Sequence, residues 1–155
     1  LGEIVFHSEE KSFESYPTIL QALSEAIVRE SVPAAMDNIC GAVARLIVTN
    51  PDSVPLGQVL PVWLNHLPLK DDTVENDVIQ KAFRVLYLKA RPSIEAHLEQ
   101  ILAITIEASY KKQMPDVETT ESAVALIKEI RANYPELFSK VSNMNPEVFN
   151  YVQAL

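Results

Sequence analysis

The residues able to do chemistry are few, and their spacing argues against catalysis. The only cysteine, Cys40, stands in "DNICGAVARLI" (37–47). A nucleophilic thiolate needs a nearby base or electropositive surroundings, but no histidine shares this segment and its neighbours are small or apolar. Cys40 therefore reads as a packing residue of a very frequently buried type. The histidines His7, His66 and His97 are scattered, with no partner at i+3 or i+4, so no metal site is expected. There is no glycine-rich phosphate loop, and the many carboxylates form no recognisable acid–base pair. The expectation is a chain without catalytic residues, cofactor or metal. Gly41 costs about 1 kcal/mol relative to Ala in a helix interior, which points to close approach by a neighbouring helix or a bound chain.

The elements carrying these residues are helices. Pro33, Pro51, Pro68, Pro92, Pro115 and Pro135 each sit at a break in apolar periodicity, where a missing N–H does little harm. Between them, helical stripes run through Phe13, Tyr16, Leu20, Leu23 and Ile27, through Leu56, Leu60, Trp63, Leu64 and Leu67, and through Ile94, Leu98, Ile101 and Leu102. Alternate segments give Ile39, Val43, Leu46 and Ile47, then Val78, Ala82, Phe83 and Leu86, then Val124, Ile127 and Ile130. No useful stretch alternates with period two. The fold class is all-α.

Helices also recur in pairs. Aligned on their terminal prolines, "AVARLIVTNP", "AFRVLYLKARP" and "ALIKEIRANYP" make Leu46, Tyr87 and Ile130 equivalent. "YPTILQAL" and "LPVWLNHL" each carry a proline, Pro17 and Pro61, that reads as interior and as a shared bend. The period of about 40–47 residues is that of HEAT and armadillo arrays. It divides the chain into the end of a preceding repeat (1–8), repeats at 12–51, 55–92 and 93–135, and a helical cap at 136–155. The cap has Asn145 as N-cap, Pro146 at N1, and Phe138, Val141, Val148, Phe149 and Val152 as its core.

The chain of 155 residues carries 21 acids against 13 bases, a formal charge of −8. That balance argues against nucleic acid or an anionic membrane as the main partner. No apolar run reaches the roughly 18–20 residues of a membrane span, and a single cysteine fits a reducing compartment, cytosol or nucleus. The start at "LGEIVF" reads as a helix already under way, the excised end of something longer. On the helical wheel Asn38, Arg45 and Thr49 share one narrow stripe flanked by Asp37, opposite the apolar face. The next second helix offers Glu75, Asn76, Asp77 and Gln80, and the third offers Glu118 and Glu121. Acids in a first turn also oppose the helix dipole favourably by about 0.3–1 kcal/mol, so each alone is ordinary. As a set they describe a negative trough for Lys/Arg-rich segments. Trp63, on an apolar stripe, reads as core rather than as a binding pocket.

"DNICGAVARLI" followed by "VLPVWLNHLPLKDD", with "LGEIVFHS", "YPTILQAL" and "NPEVFNYVQAL", resembles the C-terminal HEAT repeats of the importin-β superfamily. The resemblance is clear over about residues 1–75 and rests on helix spacing beyond. It implies a right-handed α-solenoid whose second helices line a concave, cargo-holding face. On it, Asp37, Asn38 and Arg45 face the groove. It further implies basic cargoes such as core histone tails and ribosomal proteins, Ran-GTP binding through N-terminal repeats outside this chain, and shuttling between cytoplasm and nucleus. The alternative is a HEAT scaffold that holds a complex together without transport. The family's Asp–Arg ladder falls on Pro33 and Met36 in "VPAAMDN", where it should be broken. In "KDDTVEN" Asp72 matches, and Glu75 replaces the arginine.

Overall fold

A computed structural model of the chain describes residues 15–155. The segment 1–8, His7 and Phe13 lie outside the described residues. The helices are α1 (Tyr16–Arg29), α2 (Pro33–Thr49), α3 (Leu56–Leu64), α4 (Asn76–Lys89), α5 (Arg91–Ile94), α6 (Leu98–Tyr110), α7 (Val117–Asn133), α8 (Pro135–Ser142) and α9 (Pro146–Gln153). Short 3-10 turns at Pro51–Ser53, Thr73–Glu75 and Glu95–His97 join them. There is no strand among the described residues, and no helix among them is long and apolar enough to cross a membrane.

Proline and capping residues set the boundaries. Pro33, Pro92, Pro135 and Pro146 all stand in a first turn, where the absent N–H would have had no helical partner. Asn145 caps α9 by accepting from the Glu147 N–H at 2.9 Å, and Asp116 caps α7 by accepting from Thr119 N–H at 2.7 Å. Pro17 differs from expectation. It lies in the first turn of α1, whereas Pro61 lies inside α3. The two prolines therefore do different jobs, and only Pro61 deprives a helix of an internal hydrogen bond.

The second helices share one burial pattern. Cys40, Val43, Ala44 and Ile47 in α2 are buried at the same spacing as Ile79, Ala82, Phe83 and Leu86 in α4 and Ala123, Leu126, Ile127 and Ile130 in α7. Alignment on the terminal prolines is therefore off by a residue or two, because the proline follows this row at different distances in each unit. Leu46 and Tyr87, though buried, fall in neighbouring rows.

First helices fasten to this layer through aromatic residues. Trp63, 1% exposed, donates its indole N–H to the Cys40 carbonyl at 3.0 Å and packs edge-on against Phe83 with ring centroids 5.5 Å apart. Tyr16 donates its hydroxyl to the Leu46 carbonyl at 3.1 Å. Each aromatic buries a large apolar body while its polar tip satisfies a carbonyl. The α2, α4 and α7 helices pack side by side. On the other layer α1 and α3 stand apart across a groove of about 340 Å³ lined by Leu20, Ile27, Val59 and Val62 among others.

Candidate functional site

The polar ends of the second helices divide into side chains spent on holding units together and side chains left open. Asp37 belongs to the first group. It is 1% exposed, and its carboxylate accepts the backbone N–H groups of Lys70 (3.0 and 3.1 Å to its two oxygens), Asp71 (2.7 Å) and Asp72 (2.8 Å). The expectation that Asp37 faces an open groove is corrected: the loop before α4 covers it. Asn76 is likewise buried, donating to the Gln113 carbonyl at 3.0 Å, and Gln80 is 1% exposed. Both lie between neighbouring units rather than on the open face.

Arg45 and Glu75 form a two-pronged ion pair between α2 and the turn before α4. Nη1 meets Oε2 at 2.7 Å and Nη2 meets Oε1 at 3.1 Å, with the side chains 17% and 12% exposed. The planar guanidinium matches a carboxylate in this bidentate way. The inter-unit tie expected to fail at Pro33 and Met36 is thus carried by Asp37, one residue on, and by Arg45 with Glu75. Glu75, read as a departure from the ladder, is the acidic half of that pair. Gly41 lies directly beneath it: a Cβ there would stand 1.7 Å from Glu75 Oε2 and 2.9 Å from Arg45 Nη1. The close approach expected at Gly41 is that of this carboxylate.

Asn38, Asp77 and Glu121 occupy one row, each two residues before the first of the shared buried positions. Asn38 is exposed and donates to Ala34 O (2.8 Å) and Asp72 Oδ2 (3.3 Å). Asp77 accepts from Lys81 Nζ (2.8 Å to Oδ1, 3.0 Å to Oδ2) and from Thr119 Oγ1 (3.2 Å). Glu118 and Glu121 are exposed. Five residues beyond the same buried position stand Arg45, Arg84 and Lys128, a basic row. Arg84 pairs with Glu129 of α7 at 2.7 Å, much as Arg45 pairs with Glu75.

One place concentrates acid. Asp77, Gln80, Lys81, Glu118, Thr119 and Ser122 line a cavity of about 60 Å³ between α4 and α7. The Asp77 hydrogen bond, helped against the opposing effect of burial by the fields of Asp77, Glu118 and Asp116, holds the Lys81 ammonium above the ordinary lysine range. Three carboxylates thus surround one cation, and the local balance is negative. Asp116, Lys81, Thr119 and Ser122 escaped the sequence reading. Two of them carried a signal: Asp116 directly precedes a helix, as an N-cap does, and Lys81 stands four residues after Asp77, the spacing of a helical ion pair.

Cys40 has no such surroundings. Burial first, then the Asp37 charge, push its thiol up to about 12, with Lys70 opposing. The thiol is neutral at physiological pH. Alkylation by iodoacetamide at pH 7.5 should run at least about a hundredfold slower in the folded chain than in denaturant, since only the thiolate reacts. Equal rates would contradict the burial of Cys40.

No family model matches the chain. Over 136 residues it is 32% identical to "Probable importin subunit beta-4" of Schizosaccharomyces pombe, a stretch covering 86% of this chain and 13% of that protein. It is also 32% identical over 128 residues to human importin-4, covering 82% of this chain and 12% of the relative. The chain belongs to the importin-β family. Within that family it is importin-4-like: mouse importin-4 is 34% identical over 87 residues, covering 56% of this chain and 8% of the relative. The chain spans about an eighth of the length of the first two relatives. For an importin-β chain, these stacked helix pairs are a HEAT solenoid, and Asn38, Asp77 and Glu121 recur at one position along its second helices.

Proposed function

We propose that this chain is a cargo-binding part of a nuclear import receptor, taking an extended basic segment on the acid-rich inner face of its second helices. The observation that carries this reading is the concentration of Asp77, Asp116 and Glu118 about a single lysine between α4 and α7, in a chain of net charge −8. Glu121 extends the acidic row and Asn38 offers an exposed amide to a peptide backbone. Cargoes of suitable chemistry are lysine-rich histone tails and basic ribosomal proteins. Ran-GTP would engage repeats outside this chain, and the receptor would shuttle between cytoplasm and nucleus. Binding alone is the mechanism, with no bond made or broken.

Titration with a lysine-rich histone-tail peptide tests this. Affinity should fall about tenfold or more between about 50 and 300 mM salt, because exposed charge pairs are screened. Reversing Asp77, Glu118 and Glu121 together should cost a further loss of about tenfold at low salt. No binding at low salt, or indifference to the triple reversal, would sink the proposal.

A further inference from the structure

We infer that this stretch of solenoid carries a hinge at one joint: α4 and α7 part at their N-terminal ends and pivot on their C-terminal halves, while the joint between α2 and α4 stays closed. The hinge goes beyond the cargo reading above and does not depend on it. What separates the two joints is whether their buried polar groups are matched. Between α2 and α4 they are. Asp37 accepts three consecutive backbone N–H groups, Arg45 and Glu75 pair through both prongs, and Trp63 ties the Cys40 carbonyl to the Phe83 ring. Opening that joint gives up all of these in a sheltered setting, which is costly. Between α4 and α7 the balance differs. Gln80 is 1% exposed, yet neither its Oε1 nor its Nε2 has a hydrogen-bond partner in the protein, a rare state for a buried amide. Among the described residues the buried side chains with such atoms are Gln80, Arg84, Ser109 and Gln113. They lie in α4, in α6 and in the loop after α6, and none lies in α2 or in the stretch 65–75 that covers Asp37.

The direction of opening follows from where the packing is loose. The cavity of about 60 Å³ runs along the N-terminal halves, between Asp77, Gln80 and Lys81 of α4 and Glu118, Thr119 and Ser122 of α7. The hydrogen bond that crosses it runs from Thr119 Oγ1 to Asp77 at 3.2 Å. Lys81 spends its hydrogen bonds within α4, on Asp77 four residues before it. Asn76 holds the Gln113 carbonyl in the loop ahead of α7, which leaves residues 114–116 to take up the movement. The C-terminal halves are fastened more closely. Arg84 pairs with Glu129 at 2.7 Å, the Tyr87 hydroxyl accepts from Asn133 Nδ2 at 3.0 Å, and Leu86, Leu126, Ile127 and Ile130 are buried. Parting the C-terminal halves would bring this apolar surface into water. Parting the N-terminal ends breaks the Thr119–Asp77 bond and lets water complete the Gln80 amide. An opening with so little to lose belongs to the low end of the local stability range, and two packed helices turning about one end make a hinge.

The test is a set of spin-label distances measured by double electron–electron resonance on the whole chain. Labels go on exposed positions, and the buried Cys40 stays unlabelled. Val74→Cys with Val117→Cys reads the N-terminal ends of α4 and α7, and Val32→Cys with Val74→Cys reads the joint between α2 and α4. Leu88→Cys with Ala132→Cys reads the pivot. All five positions are exposed. The distance distribution for 74–117 should be at least about twice as broad as those for 32–74 and 88–132, as expected of one low-stability opening beside two closed contacts. Gln80→Leu removes the unmatched amide and should narrow the 74–117 distribution while leaving 32–74 unchanged. Should Gln80→Leu fold poorly, Gln80→Met removes the same polar atoms at nearly the same length and should give the same narrowing. Equal breadth at 74–117 and 32–74 overturns the hinge. So does breadth at 88–132 matching that at 74–117, which would mean that the two helices move apart bodily. A 74–117 distribution untouched by the folded Gln80 variant overturns the role given to the amide.

Discussion

Asp37→Ala is expected to lower the free energy of unfolding by roughly 3–5 kcal/mol, the range reached when a buried charge network is broken. The Asp37 carboxylate, 1% exposed, is the acceptor for three consecutive backbone N–H groups at 70, 71 and 72. Truncation leaves those donors facing a side chain that no longer exists, and each unsatisfied buried group costs about 1–3 kcal/mol. Some of that cost is recovered as water enters, which keeps the sum below the simple total. Asp37→Asn should fall between the two, because one oxygen still accepts while the new NH2 meets N–H donors. Urea unfolding with an unchanged m-value reads the loss, and hydrogen exchange should show the amides of 70–72 deprotected first. A change below about 1 kcal/mol would mean that the loop is held by something else. The same geometry bars Asp37 from any charge-reversal test of binding. A carboxylate replaced by lysine there would disrupt the joint between α2 and α4, and lost affinity would report unfolding.

The legible part of this fold is the part that depends on one helix at a time. Cys40, Val43 and Ile47 recur at helical spacing and are buried, and Asn145 followed by Pro146 caps and opens α9 as its residue types dictate. Trp63, on a stripe of leucines, lies in the core. Errors begin where a second unit decides. A helical wheel gives each residue an angle about its own axis, but not which neighbour covers that angle. Asp37, Asn76 and Gln80 lie at the edge between apolar and polar arcs, where the following loop or helix closes over them. Asn38 and Asp77, one position further round, stay at least partly open. Pro17 misled for a different reason: a proline near a helix start looks interior unless the first helical residue is known to be Tyr16. The cavity at Gln80 had no sequence signature, since its lining comes from two helices about forty residues apart in a HEAT-like period.

Gly41→Ala should change sign with the residue at position 75. In the unmodified chain the new methyl group would overlap the Glu75 carboxylate, 1.7 Å from Oε2. The carboxylate is the far end of a flexible side chain and can swing away without moving the backbone. What is lost is its bidentate pairing with Arg45, in a setting only 12–17% exposed. Breaking a pair this sheltered lies between the about 0–1 kcal/mol of exposed pairs and the 3–5 kcal/mol of buried ones. Against it stands the gain of up to about 1 kcal/mol from replacing glycine by alanine inside a helix. The net expectation is destabilisation by about 1–2 kcal/mol. With Glu75→Ala already present there is neither carboxylate to displace nor pair to break, and the Arg45 guanidinium, 2.9 Å from the new methyl, is the far end of a flexible side chain that can move aside, so the helix term dominates. Gly41→Ala should then stabilise by up to about 1 kcal/mol. The resulting coupling between positions 41 and 75 is about 2–3 kcal/mol, well above the few tenths expected of independent sites. Equal effects of Gly41→Ala in the two backgrounds would show that the glycine serves the helix packing of α2 on α4 and not the carboxylate. The sign reversal would show that a residue with no functional group is kept as glycine to hold two units of the solenoid together through an ion pair.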